Sequence, residues 1–135
     1  MTHKKLITIG ALGAIAVALG ALGAHFLKSK IPSGLITPDQ LAGFDTGVKY
    51  QMYHLLAMLA VVVFAEHKHH KFLDYAYAFF FWGIILFSGS LFFLTTRNLF
   101  GMDWLKVLGP ITPIGGVCFI IGWILLALYG LKTKK

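Results

Sequence analysis

Four stretches without a single Asp, Glu, Lys or Arg constrain this chain more than any other feature: 6–27, 50–65, 75–96 and 107–131, of 22, 16, 22 and 25 residues. A helix crosses a hydrocarbon core of roughly 30 Å with about 20 apolar residues, each rising about 1.5 Å. Three of the stretches suffice outright, and the second does so if Val48 and Lys49 add an interfacial first turn. The expectation is an all-α integral membrane four-helix bundle, a single domain over 1–135, with helices over 6–27, 48–65, 72–96 and 110–131. Charged residues make up 13% of the chain and hydrophobic ones 58%, where soluble domains carry about 25% charge. No room remains for a separate soluble or nucleotide-binding domain.

The net charge of +7 does not point to nucleic acid, because its lysines flank the apolar stretches: Lys4, Lys5, Lys28, Lys30, Lys68, Lys71, Lys132, Lys134 and Lys135. That is the distribution of interfacial anchors facing lipid headgroups. With four crossings, seven lysines share the side of the termini and the middle loop, against five basic residues opposite. The positive-inside rule then puts both termini in the cytoplasm. Lys4-Lys5, the first apolar stretch and Ala21-Leu22-Gly23 also resemble a secretory signal. Its 22 residues exceed the usual apolar core of about 7–15, so a retained helix is expected. Cys118 is alone within the last stretch, which excludes a disulfide framework and CxxC chemistry.

Helix one repeats Gly-Ala-Leu-Gly-Ala at 10–14 and 20–24. Small-xxx-small pairs such as Gly10/Ala14 and Gly20/Ala24 permit close helix approach in lipid, so this helix is expected to be the buried central one; a fusion or lipid-sensing stripe is the alternative. Between helices one and two, Thr37-Pro38-Asp39-Gln40 supplies a cap, a proline at the first helical position and a Gln at the third. A short amphipathic helix over 38–46, with Leu41, Phe44 and Val48 on one face, is expected to lie along the membrane surface and turn inward near Gly47. The six-residue loop 66–71 makes helices two and three antiparallel neighbours. Its His67, His69 and His70 could ligate a transition metal or be plain surface. Gly109-Pro110 and Thr112-Pro113 announce helix four, whose amino end could face an anion, while Gly115, Gly116 and Gly122 suit close packing.

Polar groups in hydrocarbon are costly and face bundle interiors or cavities. His25, Tyr50, Gln51, His54, Ser88, Ser90 and Thr112 all fall in the half of their helices nearest the outer side. Tyr50, Gln51 and His54 share a helical face, and Ser88-Gly89-Ser90 sets two hydroxyls around a residue open to close approach. These seven are expected to form an outer-leaflet polar cluster. It either locks the helices by hydrogen bonds, binds a ligand, or uses its histidines as haem ligands or proton carriers. Against haem, one intramembrane histidine pair leaves no surplus of axial options. No intramembrane acid orients His54 as a base for Ser88 or Ser90, and no Asp or Glu lies inside a span as ion relays usually require.

The segments Gly20-Ala-Leu-Gly-Ala-His25, Tyr50-Gln-Met-Tyr-His54, Phe87-Ser-Gly-Ser-Leu91, Ile111-Thr-Pro-Ile-Gly-Gly116 and Gly122-Trp123 resemble, in order, the YgdD-like family of small membrane proteins, a domain of unknown function found in bacteria with similar proteins in eukaryotes. The resemblance covers about 6–131. It implies a four-helix protein of the bacterial plasma membrane, with helix one retained and no established catalytic activity or cofactor. The family's recurring residues correspond to His25, Tyr50, Gln51, His54, Ser88, Gly89, Ser90, Thr112, Pro113, Gly115 and Gly116. Phe92 stands where relatives often carry Tyr, and 97–106 is longer than in compact members.

Together these readings favour a non-enzymatic multi-pass protein without cofactor or nucleic-acid partner, acting on membrane lipids or a membrane partner complex and open to homo-oligomerisation. The alternative is a binder or carrier of a small amphiphile, lipid headgroup or ion in the polar cluster.

Overall fold

The computed structural model describes residues 2–133. Four helices are long and apolar enough to cross a membrane: α1 (Thr2–Leu27), α2 (Pro38–His67), α3 (Lys71–Thr96) and α4 (Ile111–Lys132). No strand occurs among the described residues. α1 closes with a π-helical turn at Gly23–Leu27, and α3 carries another at Ile84–Ser88. Such turns carry one residue more than an α turn and re-aim the side chains beyond them. The two longer loops turn through Gly34 and Gly101, both at positive φ, where a side chain would be strained.

Contacts at one end of the bundle gather the amino terminus, the 68–70 loop and the end of α4. Lys5 Nζ lies 2.8 Å from Asp74 Oδ1, the Thr2 hydroxyl meets Glu66, and Tyr129 donates to Lys68 O at 3.2 Å. This is the terminal end; the 28–37 and 97–110 loops form the loop end.

The Thr37 cap is present in full: Gln40 N donates to Thr37 Oγ1 at 3.1 Å, and Thr37 N donates to Gln40 Oε1 at 3.0 Å. The helix it starts does not end near Gly47. It runs without a break for 30 residues, about 45 Å, so the short helix expected over 38–46 is the first turns of α2. The apolar face expected on the membrane surface is instead buried by protein. Phe44 packs with Leu27 and Ile36, and Leu41 and Val48 lie against that cluster.

The central helices are α2 and α3. Buried residues make up 39% and 33% of their apolar windows, against 11% for α1 and 17% for the α4 window. The expectation that helix one is the buried centre is therefore corrected. Over Thr2–Leu22 only Ala16 is fully buried, and Gly10, Ala14 and Ala24 are exposed. A Cβ on Gly10 would meet nothing within 4 Å. Within the repeat, Gly23 is buried against the Phe44 ring and Gly20 meets Val48, and the tighter approaches lie on the other helices. A Cβ on Gly115 would collide with the Phe87 backbone, one on Gly122 with Phe80, and one on Gly83 with Phe119. These three glycines seat α4 on α3. Gly47 receives Phe92 and Gly43 receives Thr95, which brings the loop-end halves of α2 and α3 together.

The main core, with Leu55, Met58, Val61, Leu73, Phe80, Ile84 and Phe119, joins α2, α3 and α4. The outer surface is apolar, with Ile7, Val17, Leu56, Trp82, Phe93, Ile120 and Leu131 all exposed. Such a face is stable in lipid and not in water.

Candidate functional site

Of the seven residues expected to cluster, six lie on the facing helices and one does not. His25 sits in the π turn of α1 with its side chain exposed and takes no part. Of the others, Gln51, His54, Ser90 and Thr112 form a ladder of interhelical hydrogen bonds, not a single pocket.

Gln51 is 2% exposed and donates from Nε2 to Leu12 O at 2.8 Å. This bond ties α2 to the backbone of α1, near the middle of that helix. His54 is also buried. Its Nδ1 lies 2.7 Å from Tyr50 O, and Trp123 Nε1 donates to its Nε2 at 3.2 Å. A carbonyl only accepts and an indole N–H only donates, so the ring is the neutral Nδ1–H tautomer with both nitrogens engaged. It stacks on Phe119 at 3.5 Å between centroids and 7° between planes. Tyr50 is exposed and stacks on Phe87 at 4.8 Å.

Ser90 and Thr112 share a hydrogen bond of 2.6 Å between their hydroxyls, and Ser90 also reaches Phe87 O at 3.0 Å. Thr112, whose Thr-Pro pair reads in sequence as a cap followed by a first-turn proline, does not cap helix four. The helix begins at Ile111, with Pro110 in the cap position, and the Thr112 hydroxyl joins α4 to α3 instead. Ser88 is fully buried, and its Oγ has no partner among the described residues. Gly89, expected as a close-approach point, has open space at its Cβ position.

The depth of this ladder also differs from expectation. Ser90 and Thr112 lie at the loop end, but Trp123 stands twelve residues into α4, about 18 Å along its axis. Gln51 and His54 thus find their partners near mid-bundle. Counting from the ends of the charge-free stretches placed them too shallow, because α2 starts at Pro38, twelve residues ahead of the second stretch.

This arrangement has chemical consequences. The Nε2 lone pair that would ligate haem iron or take a proton from serine is occupied by Trp123, and Ser90 is bonded to Thr112. No Ser–His pair forms among the described residues. At the terminal end the three loop histidines turn to different partners. His67 Nδ1 lies 2.9 Å from Val63 O, and His69 Nε2 lies 2.7 Å from Asp74 Oδ2. His70 Nδ1 accepts from Phe72 N at 3.1 Å, capping α3. No three His, Cys, Asp or Glu side chains converge as a ligand set among the described residues.

Two lateral clefts flank the ladder. One, of about 420 Å³, lies between α1 and α3 with Gln51 and Ser90 in its lining. The other, of about 680 Å³, lies between α2 and α4 and is lined by Tyr50, Tyr53, His54, Gly116, Ile120 and Trp123, with Pro113 toward its loop end. Sequence reasoning missed Tyr53 and Trp123. The spacing of Tyr53 from Lys49 and the presence of a tryptophan inside a span were the available signals.

Residues 19–116 match the family described as "Protein of unknown function (DUF423)". The chain belongs to this family. It is 40% identical over 131 residues to the UPF0382 membrane protein YwdK of Bacillus subtilis (strain 168), covering 96% of this chain and 98% of that protein. It is 40% identical over 135 residues to a UPF0382 membrane protein of Haemophilus influenzae, covering 100% and 99%. It is 32% identical over 136 residues to the UPF0382 inner membrane protein YgdD of Escherichia coli (strain K12), covering 100% and 95%. No solved structure matches. The resemblance drawn from the five sequence segments is thereby shown, and the chain is a membrane protein of a family whose function is unknown.

Proposed function

We propose that this protein is a non-enzymatic, multi-pass protein of the bacterial plasma membrane, with both termini cytoplasmic, that acts on lipid organisation or on a membrane partner through its lateral helix faces. The observation that carries this reading is the engagement of the buried intramembrane histidine, His54, at both ring nitrogens. Gln51, His54, Ser90 and Thr112 are each hydrogen-bonded to another helix or to backbone. A general base needs a free lone pair beside its substrate, and the Nε2 lone pair of His54 is taken by Trp123. What the bundle presents to its surroundings is an apolar surface with three lateral clefts, the third lying between α1 and α2.

The test is gentle extraction into nanodiscs, native mass spectrometry and crosslinking in native membranes. Retained phospholipid or a crosslinked membrane partner is the expected result. A haem absorption band, a stoichiometric metal, or turnover abolished by His54→Ala would contradict it.

A further inference from the structure

We propose that the α1–α3 cleft binds a quinol, an uncharged aromatic ring bearing hydroxyls, with the ring held by the Gln51 amide and the apolar tail left in lipid. The assignment deepens the reading of the lateral faces above and rests on it.

The first observation is an amide with free capacity. A primary amide has two N–H donors and an oxygen with two lone pairs. Gln51 uses one donor on Leu12 O at 2.8 Å, and neither its second donor nor its Oε1 has a partner among the described residues. The side chain is 2% exposed, yet Oε1 is not sealed: the buried side-chain atoms without either partner or access are Ser88 Oγ and Arg97 Nε. Of the three lateral clefts, Gln51 lines only the one between α1 and α3, so its remaining surface opens there. An amide without partners in hydrocarbon is costly, and a hydroxyl entering the cleft satisfies it.

The second observation sets the polarity of the ligand. Ser90 lines the same cleft and is buried. Its proton goes to Phe87 O, so Thr112 donates in the bond between the two hydroxyls and Ser90 Oγ keeps one acceptor position. Gln51 and Ser90 together bring two free acceptor oxygens and one free donor to the cleft, a set that favours a ligand that donates. The rest of the lining is apolar, with Ile15, Leu19, Ile85 and Phe93 among it, and the cleft measures about 420 Å³. A mostly apolar cleft between helices with a few polar groups fixing orientation is the usual form of a small-molecule site.

The third observation is depth. Leu12, the partner of Gln51, is the eleventh of the 26 residues of α1, and Ile84 on the facing wall is the fourteenth of the 26 of α3. The amide therefore stands near the middle of the span. An acyl chain reaching it from the loop end would lay a methyl against an amide. The esters of a glycerolipid would have to leave the interface to reach it, and a charged headgroup there is costlier still. A quinol carries neither ester nor charge. Phe93, three residues beyond Ser90 on the same face of α3, gives its ring an aromatic neighbour.

The experiment places the whole protein, labelled with nitrogen-15 glutamine, in phosphatidylglycerol nanodiscs and follows the side-chain amides by NMR as decyl-ubiquinol is added under reducing conditions. The chain has two glutamines, Gln40 and Gln51, and Gln40, closed in its capping box, is the internal reference. A saturable shift of the Gln51 amide at one quinol per chain is expected, with Gln40 unmoved. The dimethyl ether of the same quinol has the ring and tail but donates nothing, and should bind about tenfold more weakly. Dodecanol, a hydroxyl without a ring, should also bind more weakly than the quinol. A Cβ on Gly89, which lines the cleft, would meet nothing within 4 Å, so Gly89→Leu fills the cleft while leaving Gln51 and Leu12 in place. Ile85→Trp repeats the block from an exposed position on the same wall. In both variants the response should vanish while thermal melting reports a folded protein. A Gln51 amide that the quinol leaves unmoved, an ether or dodecanol that binds as tightly as the quinol, or folded Gly89→Leu and Ile85→Trp proteins that still respond overturns the assignment. The reading of the lateral faces survives that outcome if native mass spectrometry and crosslinking still show retained phospholipid or a membrane partner, and falls with it if they show neither.

Discussion

Trp123 holds His54 from the opposite wall of a cleft: its indole N–H donates to Nε2 at 3.2 Å, while the Tyr50 carbonyl accepts a hydrogen bond from Nδ1–H. The imidazole therefore serves as a two-sided polar brace between α2 and α4. Trp123→Phe keeps a ring in place and leaves Nε2 without a donor. The expected loss of stability is about 1–3 kcal/mol, and a double-mutant cycle with His54→Ala should give a coupling of about 0.6–1.7 kcal/mol. Nitrogen-15 spectra of labelled histidine should show the Nδ1–H tautomer for His54 in the parent. A coupling indistinguishable from zero would show that the two side chains do not brace each other.

Gln51 is a polar tie between α2 and the middle of α1. Replacing it with Leu preserves bulk and removes the donor to Leu12 O. Unfolding measured in detergent should show a loss of about 0.6–1.7 kcal/mol. Amide exchange should rise along α1 more than along α3, because α1 has the smallest buried share to compensate. Uniform exchange in all four helices would place the tie elsewhere.

The glycines divide into two groups by what stands opposite them. Gly115→Ala drives a methyl into the backbone of Phe87, which cannot yield as a flexible side chain can. A cost of at least about 1–3 kcal/mol is expected, with α3 and α4 forced apart. Gly10→Ala and Gly13→Ala meet open space, and alanine is the better helix former by about 0.5–1 kcal/mol, so both should be neutral or stabilising. Thermal melting of the three variants separates the groups, and a reversed order would contradict the packing described.

Ser88 offers a test with the opposite sign. Its hydroxyl is buried without a partner among the described residues, so Ser88→Ala removes an unsatisfied polar group and should leave stability unchanged or raise it, by up to about 1–3 kcal/mol. A marked loss in the same unfolding assay would mean that the hydroxyl has a partner in the membrane.

Much of this was legible because lipid is a demanding solvent. Charge-free length alone located four helices, and Thr37 with Gln40 announced the start of α2. Gln51, His54, Ser90 and Thr112 declared themselves as polar residues in oily surroundings, and each is indeed bonded within the bundle. What the sequence concealed was direction. The Gly-Ala repeat of α1 has the composition of a packing face, yet no backbone comes close to Gly10, and nothing in the repeat says which helix will be its neighbour. The close approaches at Gly43, Gly47 and Gly83 depend on where Thr95, Phe92 and Phe119 arrive from other helices. His25 shares its residue type and expected depth with His54, but the π turn that carries it leaves its side chain exposed. Such a turn has no reliable mark in one sequence.

The central claim is a bundle of four crossings that leaves both termini on the cytoplasmic side. It is tested most directly by single-cysteine labelling of intact cells with a membrane-impermeant maleimide, in a Cys118→Ala background. Ser33→Cys and Asn98→Cys, in the two loop-end loops, should react from outside. His3→Cys, His69→Cys and Thr133→Cys should react only after permeabilisation. Labelling of positions 33 and 69 from the same side of the membrane would contradict the account.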